Sequence, residues 1–249
     1  CPPVTETGAA GFAGRSIGGR YCKRLQFLGS VGTTPELLTP GSGKRLADSG
    51  DGTMVQPLSK QTIIPFLTEI FERRGTEEYL GEPVTIGAHM LQAAHFAQQD
   101  GHDDIVIAAA LLHDVGHFTG DFIGMPLAEG TAFMEDTTDR QHERAGAAVL
   151  DAFFPELVVD CCRYHVAAKR YLCAREPGYF EELSAASVHS LSLQGGPMSD
   201  DEVAAFESHP HFDAIIAVRR YDEASKEPGL DVPGFASYVP ILERLVAAA

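Results

Sequence analysis

The sequence predicts an all-α fold, and three observations carry that reading. Apolar residues recur at helical spacing, one long apolar run is rich in Ala and Leu, and strand-like alternation is weak throughout. No internal repeat is present. Residues 1–57 are rich in Gly, Ser, Thr and Pro without an apolar period, so they read as a low-complexity N-terminal extension ahead of one domain, residues 58–249. The chain begins at Cys1 rather than Met, as expected where a start has been removed or processed.

Within the domain the elements follow in order. Thr62 to Arg74 sets Ile63, Phe66, Leu67, Ile70 and Phe71 on one helical face, with Gly75 as a stop. A short link, Tyr79-Leu80-Gly81-Glu82-Pro83, leads to a helix over Thr85 to Gln99, with His89, Ala93 and Phe96 at the inward period. Asp104 to Leu112 (DIVIAAALL) is too long and too rich in Ala and Leu for a typical strand and reads as a buried helix. After a Gly- and acid-containing loop over residues 120–140, a candidate lid, helices are expected over Gln141 to Phe153 and Pro155 to Lys169. A polar connection dotted with aromatics runs through Gly195-Gly196-Pro197. Helices are then expected over Ser199 to Phe206, Phe212 to Lys226 and Tyr238 to Ala248, with a loop over Gly229 to Ser237.

Charge and cysteine usage narrow the function. The formal charge is −16, yet residues 1–50 carry +3, which leaves −19 on the rest. An acidic body of this kind repels nucleic acid and anionic membrane surfaces, and any anionic substrate has to be met by local cations or a metal. No apolar run reaches the ~18 residues that a membrane span needs. Five cysteines, an odd number without regular spacing, argue for a reduced cytoplasmic setting. The basic, acid-poor arm leaves an organelle transit peptide as the second reading of residues 1–57. Oligomeric state is not legible.

The Asp104–Leu112 run ends in His113-Asp114, two polar groups whose burial is costly unless something binds them. Adjacent helical residues point about 100° apart, so the pair could bind one ion together or the carboxylate could bridge two. Bundle cores build metal sites from facing helices. His89, His142, His165 and Asp222 lie at inward positions of four other expected helices. Imidazole and carboxylate donors without thiolate suit iron, manganese or zinc. His95, His102, His189, His209 and His211 lie on polar or loop stretches and read as surface residues.

The order His89, His113-Asp114, Asp222 resembles the signature of the HD-domain superfamily, an all-α helical bundle of metal-dependent enzymes. With His142 and His165 added, the set is similar to the dinuclear branch. The segments Tyr79-Leu80-Gly81-Glu82, His165 to Leu172 (HVAAKRYL) and Leu183 through Gln194-Gly195-Gly196-Pro197-Met198 resemble the mixed-valent di-iron 2-amino-1-hydroxyethylphosphonate oxygenases of phosphonate degradation. The likeness spans about residues 60–245; the arm has no counterpart, and the loop after Asp114 is longer than expected. It implies one iron on His89, His113, Asp114 and Asp222 and a second on Asp114, His142 and His165, cycling as Fe(II)/Fe(III) with O₂ as co-substrate. Tyr79 is then a displaceable ligand on the second iron, and Glu82 faces the substrate's amino end.

A phosphonate needs cationic and hydroxyl donors. His117 and Lys169 follow His113 and His165 at i,i+4 and are expected as two cations beside the metals, with Ser187 and Ser190 as hydroxyl donors. The implied reaction is oxidative C–P cleavage of a small hydroxyphosphonate, giving phosphate and glycine. The alternatives are the same chemistry on 1-hydroxy-2-(trimethylammonio)ethylphosphonate giving glycine betaine, with Tyr171, Tyr179 and Phe180 available for an aromatic cage; an HD phosphohydrolase that needs no O₂; and a metal-stabilised binding module.

Overall fold

A computed structural model describes residues 58–79, 81–119 and 139–249. The N-terminal extension, Leu80 and most of the candidate lid lie outside the described residues. Among the described residues the elements are eleven α-helices and one 3₁₀ turn, without a named strand; a lone antiparallel bridge joins Glu78 to Thr85. The helices are α1 (Ile63–Arg74), α2 (Ile86–Gln99), α3 (Asp104–Leu112), α4 (Gly116–Thr119), α5 (His142–Leu150), α6 (Glu156–Arg175), α7 (Tyr179–Glu182), α8 (Ala185–Leu193), α9 (Asp200–Glu207), α10 (Phe212–Ala224) and α11 (Val239–Ala248).

α3 is the axle of the domain. Ala108 through Leu112 are fully buried, and α2, α6, α10 and α11 all pack on this short helix. Its ends follow from local chemistry: the Asp103 side chain accepts from the Val106 N–H at the N-terminus, and His113 closes the C-terminus. Thr85 caps α2 in the same way through the Ala88 N–H, which holds the turn before His89. Ser199 and Glu202 form a reciprocal capping box at the start of α9.

Two expectations are corrected. The connection before Gly195 contains the short helices α7 and α8. The latter starts where Ser184 accepts from the Ser187 N–H, and its small, Ser-rich sequence lacks the apolar period that would have announced it. The helix expected to end at Lys169 runs on to Arg175, because nothing in Arg170-Tyr171-Leu172-Cys173-Ala174 breaks it.

The join between α4 and α5 brings the two halves of the candidate site together. Gly116 lies so close to α5 that a Cβ there would sit 1.7 Å from the His142 carbonyl oxygen. Across the contact, a Cβ on Gly146 would meet Cys162 Sγ at 2.6 Å. Only glycine allows this approach. Gly116→Ala is therefore expected to destabilise the domain by about 3 kcal/mol, seen in thermal unfolding as a Tm lower by about 6–12 °C.

Candidate metal centre

Five elements bring the six expected ligands to one place. His89 comes from the first turn of α2, His113 and Asp114 from the cap and turn that close α3, His142 from the first residue of α5, His165 from mid-α6, and Asp222 from the last turn of α10. His89, His113, Asp114, His165 and Asp222 are all buried.

The Asp114 carboxylate divides the set in two. Its Oδ2 lies 3.5 Å from His89 Nε2 and 3.6 Å from His113 Nε2, while Oδ1 lies 3.3 Å from His142 Nε2 and 3.1 Å from His165 Nε2. Asp222 Oδ1 closes the first group at 3.5 Å from His89 Nε2 and 3.9 Å from His113 Nε2. Within each group the imidazoles meet nitrogen to nitrogen, at 3.1 Å for His89 and His113 and 2.9 Å for His142 and His165.

The far sides of the rings explain that convergence. Nδ1 of His89, His113 and His165 faces the carbonyl oxygen of Ser225 (2.9 Å), Ala110 (2.8 Å) and Cys162 (2.8 Å), respectively. Carbonyls only accept, so these Nδ1 atoms carry the protons and the Nε2 lone pairs turn inward. Facing lone pairs repel unless a proton or a metal cation lies between them. Asp114 Oδ1 and Asp222 Oδ1 are likewise buried without a hydrogen-bond partner. These residues fit two metal ions sharing Asp114.

The electrostatics agree. Burial alone would raise the Asp114 carboxyl, but the imidazoles around it, His113 first, hold it well below the usual carboxylate range. Against the pull of burial, Asp114 raises both His89 and His142. Burial pushes His113 down to about 4. Cys162 lies beside α5, yet burial pushes its thiol up, which leaves an imidazole–carboxylate donor set.

Around the ligands the remaining expected residues fall into place, with differences. The Tyr79 hydroxyl donates to Asp114 Oδ2 at 2.8 Å, and its ring stacks on His89 at 4.4 Å. Its partner is therefore the oxygen turned towards the first group, not the second. His117 stands in α4, beyond a turn that breaks the helix after His113, so it is not one helical turn along the same face. It stacks on His142 at 4.2 Å, with Nε2 3.8 Å from Asp114 Oδ2. Burial and the neighbouring His142 push it down to about 3, so it is a neutral hydrogen-bonding group and not the expected cation. Lys169 is buried and donates to Ser190 Oγ at 2.7 Å; burial and the nearby Arg219 lower it to about 7. Ser187 accepts from Lys226 at 3.0 Å. Glu82 accepts from Ser184 and pairs with Lys226 at 3.0 Å.

Arg219 and Lys226 were not singled out from the sequence. Arg219 is buried, donates to Asp222 Oδ2, Glu223 and Tyr179, and so holds the carboxylate whose other oxygen faces the imidazoles. An arginine at i−3 from a candidate ligand was the available signal. Of the expected cage, Tyr171 packs with Phe206 and Phe212 and donates to Glu207, and Phe180 is exposed; Tyr179 alone reaches this shell, through Arg219. The five histidines read as surface residues are all half-buried, and His209 and His211 close on Asp160, with His211 Nδ1 2.9 Å from its Oδ2.

The HD-domain family model matches residues 86–192, the stretch that holds His89 to His165. The chain is 53% identical over 192 residues to the glycine-betaine-forming [1-hydroxy-2-(trimethylamino)ethyl]phosphonate dioxygenase of Leisingera caerulea, covering 77% of this chain and 94% of that protein. It is 41% identical over 172 residues to hydroxymethylphosphonate dioxygenase of Gimesia maris, covering 69% of this chain and 82% of that protein.

Replacing the shared carboxylate, Asp114→Asn, is expected to cost metal at both positions, read as metal per chain by elemental analysis. Arg219→Met is expected to weaken metal binding by about 10–100-fold through loss of its hold on Asp222, read by competition with a chelator.

Proposed function

The chain belongs to the family of HD-domain hydroxyphosphonate dioxygenases, and from that premise we propose that it cleaves the C–P bond of a small 1-hydroxyphosphonate with a cationic tail, using O₂ and two iron ions. The observation that carries this reading is Asp114 shared between two imidazole pairs that meet nitrogen to nitrogen, beside the buried Lys169 and Arg219. The donors suit iron, which when bound supplies O₂ activation and the one-electron steps. His89, His113, Asp114 and Asp222 would hold one ion, and Asp114, His142 and His165 the other.

The protein's own groups do the rest. Lys169 meets the phosphonate with its ammonium, and the arriving anion favours the protonated form that burial disfavours. The hydroxyls of Ser187 and Ser190, the latter already bonded to Lys169, add donors for the anion. His117 offers a neutral imidazole N–H from beside His142. Tyr79 covers the centre through its bond to Asp114 and has to yield where substrate enters. Glu82 supplies the counter-charge for the tail.

The 53% identity to the trimethylamino enzyme favours a quaternary ammonium tail, with glycine betaine and phosphate as products. A free amine giving glycine is the second reading. It is favoured by the surroundings of Glu82, which are hydrogen-bonding groups, Ser184 and Lys226, and not an aromatic cage.

Iron loaded anaerobically, followed by O₂ with each compound, tests the proposal: phosphate is expected only with O₂, together with a spin-coupled Fe(II)/Fe(III) EPR signal. Phosphate released from simple esters without O₂ would move the chain to the hydrolases. Chelation of the metal is expected to abolish turnover, and iron to restore it. Lys169→Ala is expected to raise KM about 10–100-fold through loss of one charged hydrogen-bond donor, read from initial rates of phosphate release.

A further inference from the structure

We propose that Lys226 is an internal stand-in for the cationic end of the substrate, and that its exchange for that cation at Glu82 sets the preference between charged and uncharged tails. The inference deepens the function proposed above and rests on it. Glu82 is buried to within 5% of its side-chain surface, and its Oε1 both accepts from Ser184 and pairs with the Lys226 ammonium. A buried carboxylate needs a cation. Before substrate arrives, Lys226 is that cation.

Lys226 is also able to let go. Its ammonium donates to Ser187 Oγ at 3.0 Å and to Glu223 Oε1 at 3.1 Å, so release of Glu82 leaves it still paired. Glu223 in turn is held by Arg219, the residue that grips Asp222. A tail ammonium entering beside Glu82 replaces like with like: one ion pair breaks and one forms. An uncharged tail finds the Glu82–Lys226 pair already neutral and leaves it intact. Discrimination between the tails is thus the difference between two ion pairs at one carboxylate, and the lysine weakens it.

Removing the lysine charge unmasks Glu82. The test uses the iron-loaded chain with three compounds: the trimethylammonium and amino hydroxyphosphonates, and hydroxymethylphosphonate, which has no charged tail. Lys226→Met is expected to shift the ratio of Kd values, measured anaerobically by calorimetry, about tenfold in favour of the charged tails, with the ratio of kcat/KM following. Lys226→Arg should keep the ratio within about threefold of the native chain, since the charge is retained. In a Glu82→Gln background, Lys226→Met should no longer move the ratio. Lys226→Gln repeats the measurement should the Met variant fold poorly, as judged by circular dichroism. An unchanged ratio, or equal weakening for all three compounds, overturns the assignment and makes Lys226 a general anion contact. If the native chain consumes none of the three with O₂, the proposed function falls and this inference with it; every outcome in the ratio concerns Lys226 alone.

Discussion

Everything in this domain is arranged to keep one carboxylate buried between two imidazole pairs. Asp114 has no hydrogen-bond partner for Oδ1 and stands among four rings, three of which have their other nitrogen spent on a backbone carbonyl. Such a group is tolerable only beside positive charge. The five elements that carry the candidate ligands are also those that pack on or next to the fully buried centre of α3. Core and site are one construction: the apolar packing that holds α2, α6 and α10 against α3 also brings His89, His165 and Asp222 to Asp114.

A second layer of charge joins this centre to its surroundings. Asp222 leads to Arg219, Arg219 to Glu223, Glu223 to Lys226, and Lys226 to Glu82. The alternation of sign lets an acidic protein keep several cations buried close to its centre, where an anion can use them. It also makes the layer adjustable, because each cation has two carboxylate partners and can shift between them without being stranded.

Much of this was legible in the sequence. The run Asp104 to Leu112 coincides with α3, and the six candidate ligands, chosen as polar residues at the inward period of helices, converge in the structure. What escaped had weak or ambiguous periodicity. α8 is short and serine-rich, so it resembled a loop. His117 was placed by helical spacing, but the turn after His113 carries it onto His142 by a different path. His209 and His211 lacked any local signal, since their partner Asp160 is about fifty residues away in the chain.

The sequence by itself determined the long amphipathic and apolar helices, the core they bury and the His/Asp groups turned into it, because helical period and the cost of burying charge act locally. Only the tertiary structure decided which partner each group meets. It set Tyr79 on Asp114 Oδ2, Arg219 on Tyr179 and Lys226 on Glu82, contacts that depend on how separate segments of the chain come together. The physical reason is that a helix face specifies what a residue turns inward, whereas an ion pair at 3 Å is specified by two faces at once.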